Sequence, residues 1–407
     1  RIPIAAVTGT NGKTTTSRML AHILKMSGRT VGLTSTDGVY IDGKLSVPGD
    51  MTGPVSAQMI LRDPSVDAAV METARGGMLR SGLGFHECNV ACCINVTADH
   101  LGLRGIDTLE QLAEVKRVPI EIATDAAVLN ADDPLCLQMA DYTDAEKLSY
   151  VTMNPAHPLV KRHIQAGGQA FVLEQGMNGH LISIYDNETH TPLVWTHLIP
   201  ATIEGRALHN VQNAMFAAAL AYNMNISLED IRQGLRTFDS SFFQAPGRMN
   251  IYDEHPFRVI LDYAHNPAAV QAMCDLVDRF DTEGKRIVVL SAPGDRRDED
   301  IREIANIASG HFDYFICRRD DNTRGRSEDE VAVMLKNRLL EEGISPDRIE
   351  VVPDEQEANT RALEMAEPGD LILVLGDHIK RTWKQIIYFN SGSRVDNGGK
   401  KAAASIE

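Results

Sequence analysis

The sequence has no apolar run of the length that a bilayer span requires, and no basic segment leading into an apolar, cleavable one at its start. The expectation is a cytoplasmic protein with no membrane partner. It also has no CxxC pair. Its six cysteines, Cys88, Cys92, Cys93, Cys136, Cys274 and Cys317, fall mostly in apolar strand-like runs, which suits buried reduced thiols rather than zinc ligands or disulfides. Positive charge is scarce, with 40 Lys and Arg against 56 Asp and Glu and a net charge of -16. A nucleic-acid partner, which demands a basic footprint, is therefore not expected. A cationic substrate would be welcome, although most acidic surfaces are simply solvated.

What is present is an ordinary globular composition, 43% hydrophobic and 24% charged over 407 residues, too long for one typical core and suited to two domains. The organising stretch is Ile4-Ala-Ala-Val-Thr-Gly9-Thr10-Asn11-Gly12-Lys13-Thr14-Thr15. An apolar run breaks into a glycine turn and reaches Lys-Thr-Thr at the head of an amphipathic segment, which reads as strand, phosphate loop and helix N-terminus. Gly9 and Gly12 let the backbone turn tightly and aim N–H groups at phosphate oxygens, where the helix end adds partial positive charge. Lys13 would reach the β- and γ-phosphates and Thr14 would hold Mg²⁺. The full eight-residue pattern needs glycine where Val7 stands, so this is a shortened loop. The chain begins at Arg1, directly before this strand. Such a strand normally lies mid-sheet, so the expectation is a fragment of a longer protein.

Residues 14–27 read as a helix with Gly28 just past its end. Val31–Ser35, Asp67–Glu72 and Val90–Val96 read as buried strands. Glu72, Asp99 and His100 follow such runs and so fall on the ligand rim of a parallel sheet, beside the loop. A helix around 107–124 carries Lys116 and Pro119, and Ala126–Asn130 is the next strand. From about 148 to 203, short alternating runs such as Leu181–Tyr185 suggest antiparallel hairpins on the flank. An alanine-rich helix spans 209–224, and Ser227 with Asp230 opens another. Asp239 to Pro246 has no period and marks the boundary. Beyond it, strand-like runs at 257–262, 286–292, 312–317, 349–352 and 370–375 alternate with helical stretches, the rhythm of a second α/β domain. The reading is a parallel-sheet phosphate-loop domain with an antiparallel flank over 1–245, a smaller Rossmann-like α/β domain over 246–390, and a loose tail over 391–407.

Several motifs stand in the order found in the Mur ligase family, ATP-dependent amide-forming enzymes. The loop from Gly9 to Thr15 resembles that family's phosphate loop, shortened in the same way. Glu72 resembles its magnesium glutamate, and Asp99-His100 its Asp-His pair, whose histidine ligates a second magnesium. Lys116 falls where many members have a carbamylated lysine. Leu208-His209-Asn210-Val-Gln-Asn213 resembles the segment that helps seat adenine; Pro246-Gly247-Arg248 and Asp262-Tyr263-Ala264-His265-Asn266-Pro267 resemble the motifs by which the C-terminal domain closes over nucleotide. Closure is expected from these. Glu72-Thr-Ala-Arg75-Gly-Gly-Met-Leu-Arg80, Ala292 to Asp300, Arg318 to Arg326 and Leu375-Gly-Asp377 resemble one branch. That branch adds L-arginine to the aspartate side chains of a poly-aspartate backbone, and an ATP-grasp half precedes it.

The resemblance implies ATP and two Mg²⁺ ions as cofactors, with Thr14, Glu72, His100 and a carbamate on Lys116 holding metal. Lys13 and Arg248 would neutralise charge between carboxylate and γ-phosphate, the phosphate loop, Asn210 and Asp262 would seat the nucleotide, and His265 would orient substrate or hold its own turn. Asp320 and Asp321, beside Arg324, are candidates for an incoming guanidinium, which wants planar carboxylates. The alternative is an acidic loop pairing with Arg318 or Arg326. Arg75 and Arg80, on a glycine-rich loop, are candidates for the acceptor's carboxylates, or else form salt bridges. A strand-end carboxylate is ordinarily a surface charge, a single histidine ordinarily structural, and a helix lysine ordinarily solvated; the matched context raises these residues. Three other readings stay open: a same-fold ligase that polyglutamylates folate or polymerises dipeptides, a phosphate-loop ATPase switch, and a catalytically idle partner domain. Self-association is compatible with all of them.

Overall fold

The computed structural model describes residues 2–390, and the tail expected over 391–407 lies outside them. The chain divides into two compact units, one ending at Ser240 and the other beginning at Ser241. The division falls within the aperiodic segment 239–246.

The first unit is built on one eleven-stranded sheet. Its strands are β1 (Ile4–Thr8), β2 (Val31–Ser35), β3 (Gly38–Ile41), β4 (Lys44–Pro48), β5 (Ala68–Glu72), β6 (Cys88–Cys93), β7 (Ala123–Asn130), β8 (Lys147–Thr152), β9 (Gln169–Gly176), β10 (Gly179–Asp186) and β11 (Thr189–Trp195). They are ordered β11-β10-β9-β8-β7-β6-β1-β5-β2-β3-β4. The strand feeding the phosphate loop is central, paired in parallel with β5 and β6. All five residues of β1 and of β5 are buried, as continuous apolar runs require when helices cover both faces. Ala6, Met71, Ala91, Cys93, Leu112 and Ile120 share one core on one side. The helices Lys13–Met26 and Leu208–Asn223 pack against each other, and the alanine content of the second permits that approach. All six cysteines are buried free thiols.

The antiparallel flank is narrower than the sequence suggested. Strands β9, β10 and β11 are antiparallel, but β8 runs parallel to both β7 and β9, and a helix, Pro158–Gln165, makes the crossover. Ser149 to Thr152 is buried, so β8 is a two-sided interior strand whose serine, tyrosine and threonine content imitates a half-exposed one. The opposite edge carries a hairpin, β3 to β4, turned at Asp42-Gly43 with φ of 49° and 78°. Two positive φ values are what a tight hairpin turn needs, and Asp-Gly is a favoured pair for it.

Among the described residues the second unit has six strands: β12 (Asn250–Tyr252), β13 (Arg258–Asp262), β14 (Arg286–Leu290), β15 (Tyr314–Cys317), β16 (Ile349–Val351) and β17 (Leu371–Leu375). Their order is β12-β13-β17-β14-β15-β16. Only β12 is antiparallel to its neighbour. Val259, Leu261, Val289, Ile316 and Val374 form the core on one side, and helices alternate with strands as in the sequence rhythm. A last helix, Ile379–Tyr388, and β12 are additions to that reading. Among the described residues, no helix is long and apolar enough to cross a membrane.

Candidate active site

In the first unit the site lies where β5, β1 and β6 end side by side. Gly12 sits at the N-cap of helix Lys13–Met26 with φ 88°. A Cβ there would lie 2.3 Å from the Asn213 Oδ1 atom, so both the left-handed backbone and the close approach require glycine. The helix N-terminus behind it suits phosphate oxygens, because its first-turn N–H groups point out of the helix end. Lys13 folds over the loop and donates from Nζ to the Thr10 carbonyl at 2.8 Å.

Asn95, just past β6, clamps the loop. Its Oδ1 accepts from Thr10 N at 3.0 Å and Asn11 N at 2.8 Å, and its Nδ2 donates to the Asn11 carbonyl at 3.2 Å. The Thr10 hydroxyl adds a reciprocal pair with Thr97, donating to its carbonyl at 3.1 Å and accepting its N–H at 3.0 Å. Sequence reasoning passed over Asn95, although a polar residue following a buried strand was the available signal. Asn213, which the sequence placed in the segment resembling an adenine seat, stands behind Gly12 and donates to the Asn210 side chain at 3.0 Å, while Asn210 donates to the Ala201 carbonyl at 2.8 Å. Asn210 is buried.

Thr14 and Glu72 meet as the sequence led one to expect. The Thr14 hydroxyl donates to Glu72 Oε1 at 3.1 Å and lies 3.2 Å from the Thr36 hydroxyl, while Thr36 N donates to the other carboxylate oxygen at 3.3 Å. Glu72 is 1% exposed. A buried carboxylate with hydroxyl neighbours is a hard, all-oxygen donor set, which fits Mg²⁺. After β6, Asp99 is buried and lies 3.8 Å from the Nε2 of half-exposed His100, whose φ is 56°.

Lys116 is 3% exposed, on the inner face of helix Leu109–Glu121, and donates from Nζ to the Gly9 carbonyl at 2.7 Å. The solvated-lysine alternative does not hold. Burial, reinforced by the positive charge of Lys13, pushes its pKa down to about 7. An amine that is substantially neutral near physiological pH can react with carbon dioxide, so the carbamate reading is chemically accessible. Arg75 and Arg80 lie on a short helix, Arg75–Ser81, rather than on a loop. Position 77, within this helix, is glycine because the chain passes so near Thr52 that a Cβ would meet that carbonyl at 2.7 Å. Arg75 donates to the Leu103 carbonyl, and Arg80 to its own Gly76 carbonyl at 3.0 Å.

In the second unit, the two motifs around 247 and 262 form one local assembly. Gly247 has φ 68°, and a Cβ would come 2.7 Å from Ile379. The Arg248 guanidinium lies 5.2 Å from the centroid of the Tyr263 ring, within cation–π range. Asp262, at the end of β13, accepts from Met249 N at 2.8 Å. Burial pushes its carboxyl up, against the opposing pull of Arg248 and two backbone N–H groups. His265 pairs through Nδ1 with the Tyr263 carbonyl at 2.8 Å, and Asn266 caps the next helix through Ala269 N at 2.9 Å.

The loop after β15 carries Asp320 and Asp321, each beside an arginine of the chain. Buried Asp320 lies 3.4 Å from Arg318, and Asp321 lies 2.7 Å from Arg381 and 3.3 Å from His378. Arg381 holds the Asp321 carboxyl below the ordinary range, whereas burial pushes Asp320 up. The alternative pairing with Arg318 is realised for Asp320, while Arg326 binds Asp298 and Glu330 instead. Arg324, at φ 52°, pairs with Asp295 at 2.7 Å. Fully buried Glu355, not singled out in the sequence, ties this rim together. It lies 3.3 Å from Arg318, bonds Arg381, and accepts from Asp377 N at 2.7 Å.

A phosphate-type loop on a mostly parallel sheet, with a buried carboxylate beside it and a second α/β unit following, is the architecture of a nucleotide-binding protein. The Mur ligase middle domain model matches residues 7–221, and the Mur ligase, glutamate ligase domain model matches residues 247–378. The chain belongs to the Mur ligase family. It is 47% identical over 389 residues to cyanophycin synthetase of Trichormus variabilis, covering 95% of this chain and 42% of that protein. For cyanophycin synthetase of Synechocystis sp. the identity is 46% over 383 residues, with 94% and 43% covered. The chain thus spans under half the length of these curated relatives. These relatives bear out, at the level of sequence, the resemblance to one branch of the family, that of cyanophycin synthetase. The fold is similar to that of a bifunctional folylpolyglutamate synthase/dihydrofolate synthase from Yersinia pestis, solved with AMPPNP and Mn, at TM-score 0.70 and 24% identity over 95% of this chain and 88% of that one.

Proposed function

We propose that this chain is an ATP-dependent ligase that joins L-arginine to the aspartate side-chain carboxylates of a poly-aspartate acceptor. The observation that carries the reading is the Thr14–Glu72 pair beside the loop, with buried Lys116 bonded to the same loop, in a chain 47% identical to a cyanophycin synthetase. A carboxylate is a poor acyl donor at neutral pH. An acceptor carboxylate oxygen attacks the γ-phosphorus of ATP, ADP departs, and an acyl phosphate forms. The arginine α-amine then attacks the acyl carbon, phosphate leaves, and the amine gives up a proton.

The first step brings two anions together, so its chief demand is positive charge at the γ-phosphate. Lys13 supplies it from the loop, and Arg248 is read in the same role. Thr14, Glu72, His100 and carbamylated Lys116 would hold Mg²⁺, which when bound neutralises phosphate charge. Gly9 to Thr15, Asn210 and Asp262 seat the nucleotide, and His265 orients it. Asp320, Asp321 and Arg324 form the amino-acid rim, and Arg80 faces the acceptor. The remaining length of the relatives leaves room for an ATP-grasp half that adds the aspartate, and a reaction that draws on ATP is read as cytoplasmic.

Phosphate release from ATP and Mg²⁺, with an aspartate-containing peptide as acceptor, tests the reading. Release should require both the acceptor and arginine, and lysine, glutamate or aspartate should not replace arginine. Release with a different amino acid would retain the ligase and refute the substrate. Phosphate release indifferent to every amino acid would refute the ligase.

A further inference from the structure

Between His100 and the helix carrying Lys116, the backbone enters an unusual run. His100, Gly102, Arg104 and Gly105 have φ of 56°, 80°, 58° and 74°. Leu103 and Ile106 close a two-residue hairpin, with Ile106 N donating to the Leu103 carbonyl at 3.3 Å and Gly102 N to the Ile106 carbonyl at 2.9 Å. Buried Leu101 and Ile106 anchor it in the core. The two tip positions, both left-handed, normally take Asn, Asp or Gly. Here the first is Arg104, which carries a steric cost there. Such cost persists only where surrounding structure enforces it, and it concentrates at functional sites. The enforcement is visible: Arg75, three residues beyond Glu72, donates its guanidinium to the Leu103 carbonyl at the base of the hairpin. The Arg104 side chain is exposed at the tip and forms no ion pair among the described residues, in a chain whose net charge is -16.

We infer that Arg104 binds a carboxylate of the acceptor chain, mounted on a rigid hairpin for which Arg75 is the positioning residue. The acceptor's identity rests on the ligase reading above. A guanidinium on a fixed mount offers paired donors in one plane, which suits the regularly spaced carboxylates of an acidic polymer. The sequence put Arg75 itself against the acceptor; its bond to Leu103 gives it the bracing role instead.

The test measures binding of a fluorescein-labelled aspartate decapeptide by anisotropy, together with acceptor, arginine and ATP KM values, in wild type, Arg104→Gly and Arg104→Lys. Glycine relieves the left-handed backbone, so Arg104→Gly should melt no lower than wild type yet bind the peptide about ten-fold more weakly. Arg104→Lys should lose less, raised salt should weaken wild type more than Arg104→Gly, and the ATP KM should stay within about two-fold. Equal peptide binding by wild type and Arg104→Gly, or no binding by either, would overturn the inference. If phosphate release needs acceptor and arginine while Arg104→Gly keeps the wild-type acceptor KM, the inference fails and the ligase stands. If Arg104-dependent peptide binding occurs without acceptor-dependent phosphate release, the site stands and the ligase reading fails.

Discussion

Replacing Lys116 by methionine should stabilise the first unit near neutral pH while abolishing phosphate release. The amine titrates near 10.5 in the unfolded chain and at about 7 in the folded one. Between those values the unfolded state holds the extra proton, so stability climbs as pH rises through the window and is lowest, by a constant amount, below it. At about 1.4 kcal/mol per pKa unit, the whole difference is on the order of 5 kcal/mol. Between about pH 7.5 and 9.5 the climb is about 2 to 3 kcal/mol. Methionine has similar length and no charge, and it forfeits the bond to Gly9, a loss of about 1 kcal/mol. The variant should therefore gain on the order of 2 kcal/mol near pH 7.5 and show little pH dependence from this site. Urea unfolding in carbon-dioxide-depleted buffer reads the effect. With Trp383 changed to Phe in both proteins, Trp195 is the single tryptophan and reports on the first unit, which contains it. Parallel stability-against-pH curves for the two proteins would refute the claim that a buried neutral amine underlies the loop.

Gly12→Ala should abolish nucleotide-induced thermal stabilisation, because a Cβ 2.3 Å from Asn213 at φ 88° both strains and displaces the loop; an unchanged melting shift with ATP would contradict this. Asn95→Ala removes three side-chain bonds to the loop and should raise the ATP KM about ten-fold, with the arginine KM as the internal control. Glu355→Gln removes a carboxylate that serves both Arg318 and Arg381, and should cost the second unit about 3–5 kcal/mol in urea unfolding. Burial pushes the Glu355 carboxyl up, but Arg318, the Asp377 N–H and Arg381 outweigh it and hold it below the ordinary range. Its contribution is thus complete above the usual glutamate pKa and is lost as pH falls through the depressed one, and wild type alone should show that acid loss.

The parts of this protein legible in sequence are those in which one physical demand dominates. Ile4 to Thr8 has to be apolar because it is buried on both faces, and Gly12 has to be glycine because Asn213 stands behind it, so strand and loop announce themselves. The second unit was legible for the same reason, each core strand being a short uninterrupted apolar run. Where two demands mix, the signal blurs. Strand β8 is interior yet carries Ser149 and Thr152, both fully buried, and Thr152 satisfies its hydroxyl with Asp132 at 2.6 Å; a partner so far along the chain cannot be seen in an alternation pattern. Asn95 is harder still, because its side chain imitates backbone and its role exists only once β6 lies beside β1. The same holds for Arg75. In sequence it is a cation beside a metal glutamate and reads as a substrate contact or a salt-bridge partner, whereas in the fold it donates to the Leu103 carbonyl. Side chains that bond other segments of backbone are therefore the class whose contacts a sequence motif does not show, as Asn95 with Asn11 and Arg75 with Leu103 illustrate.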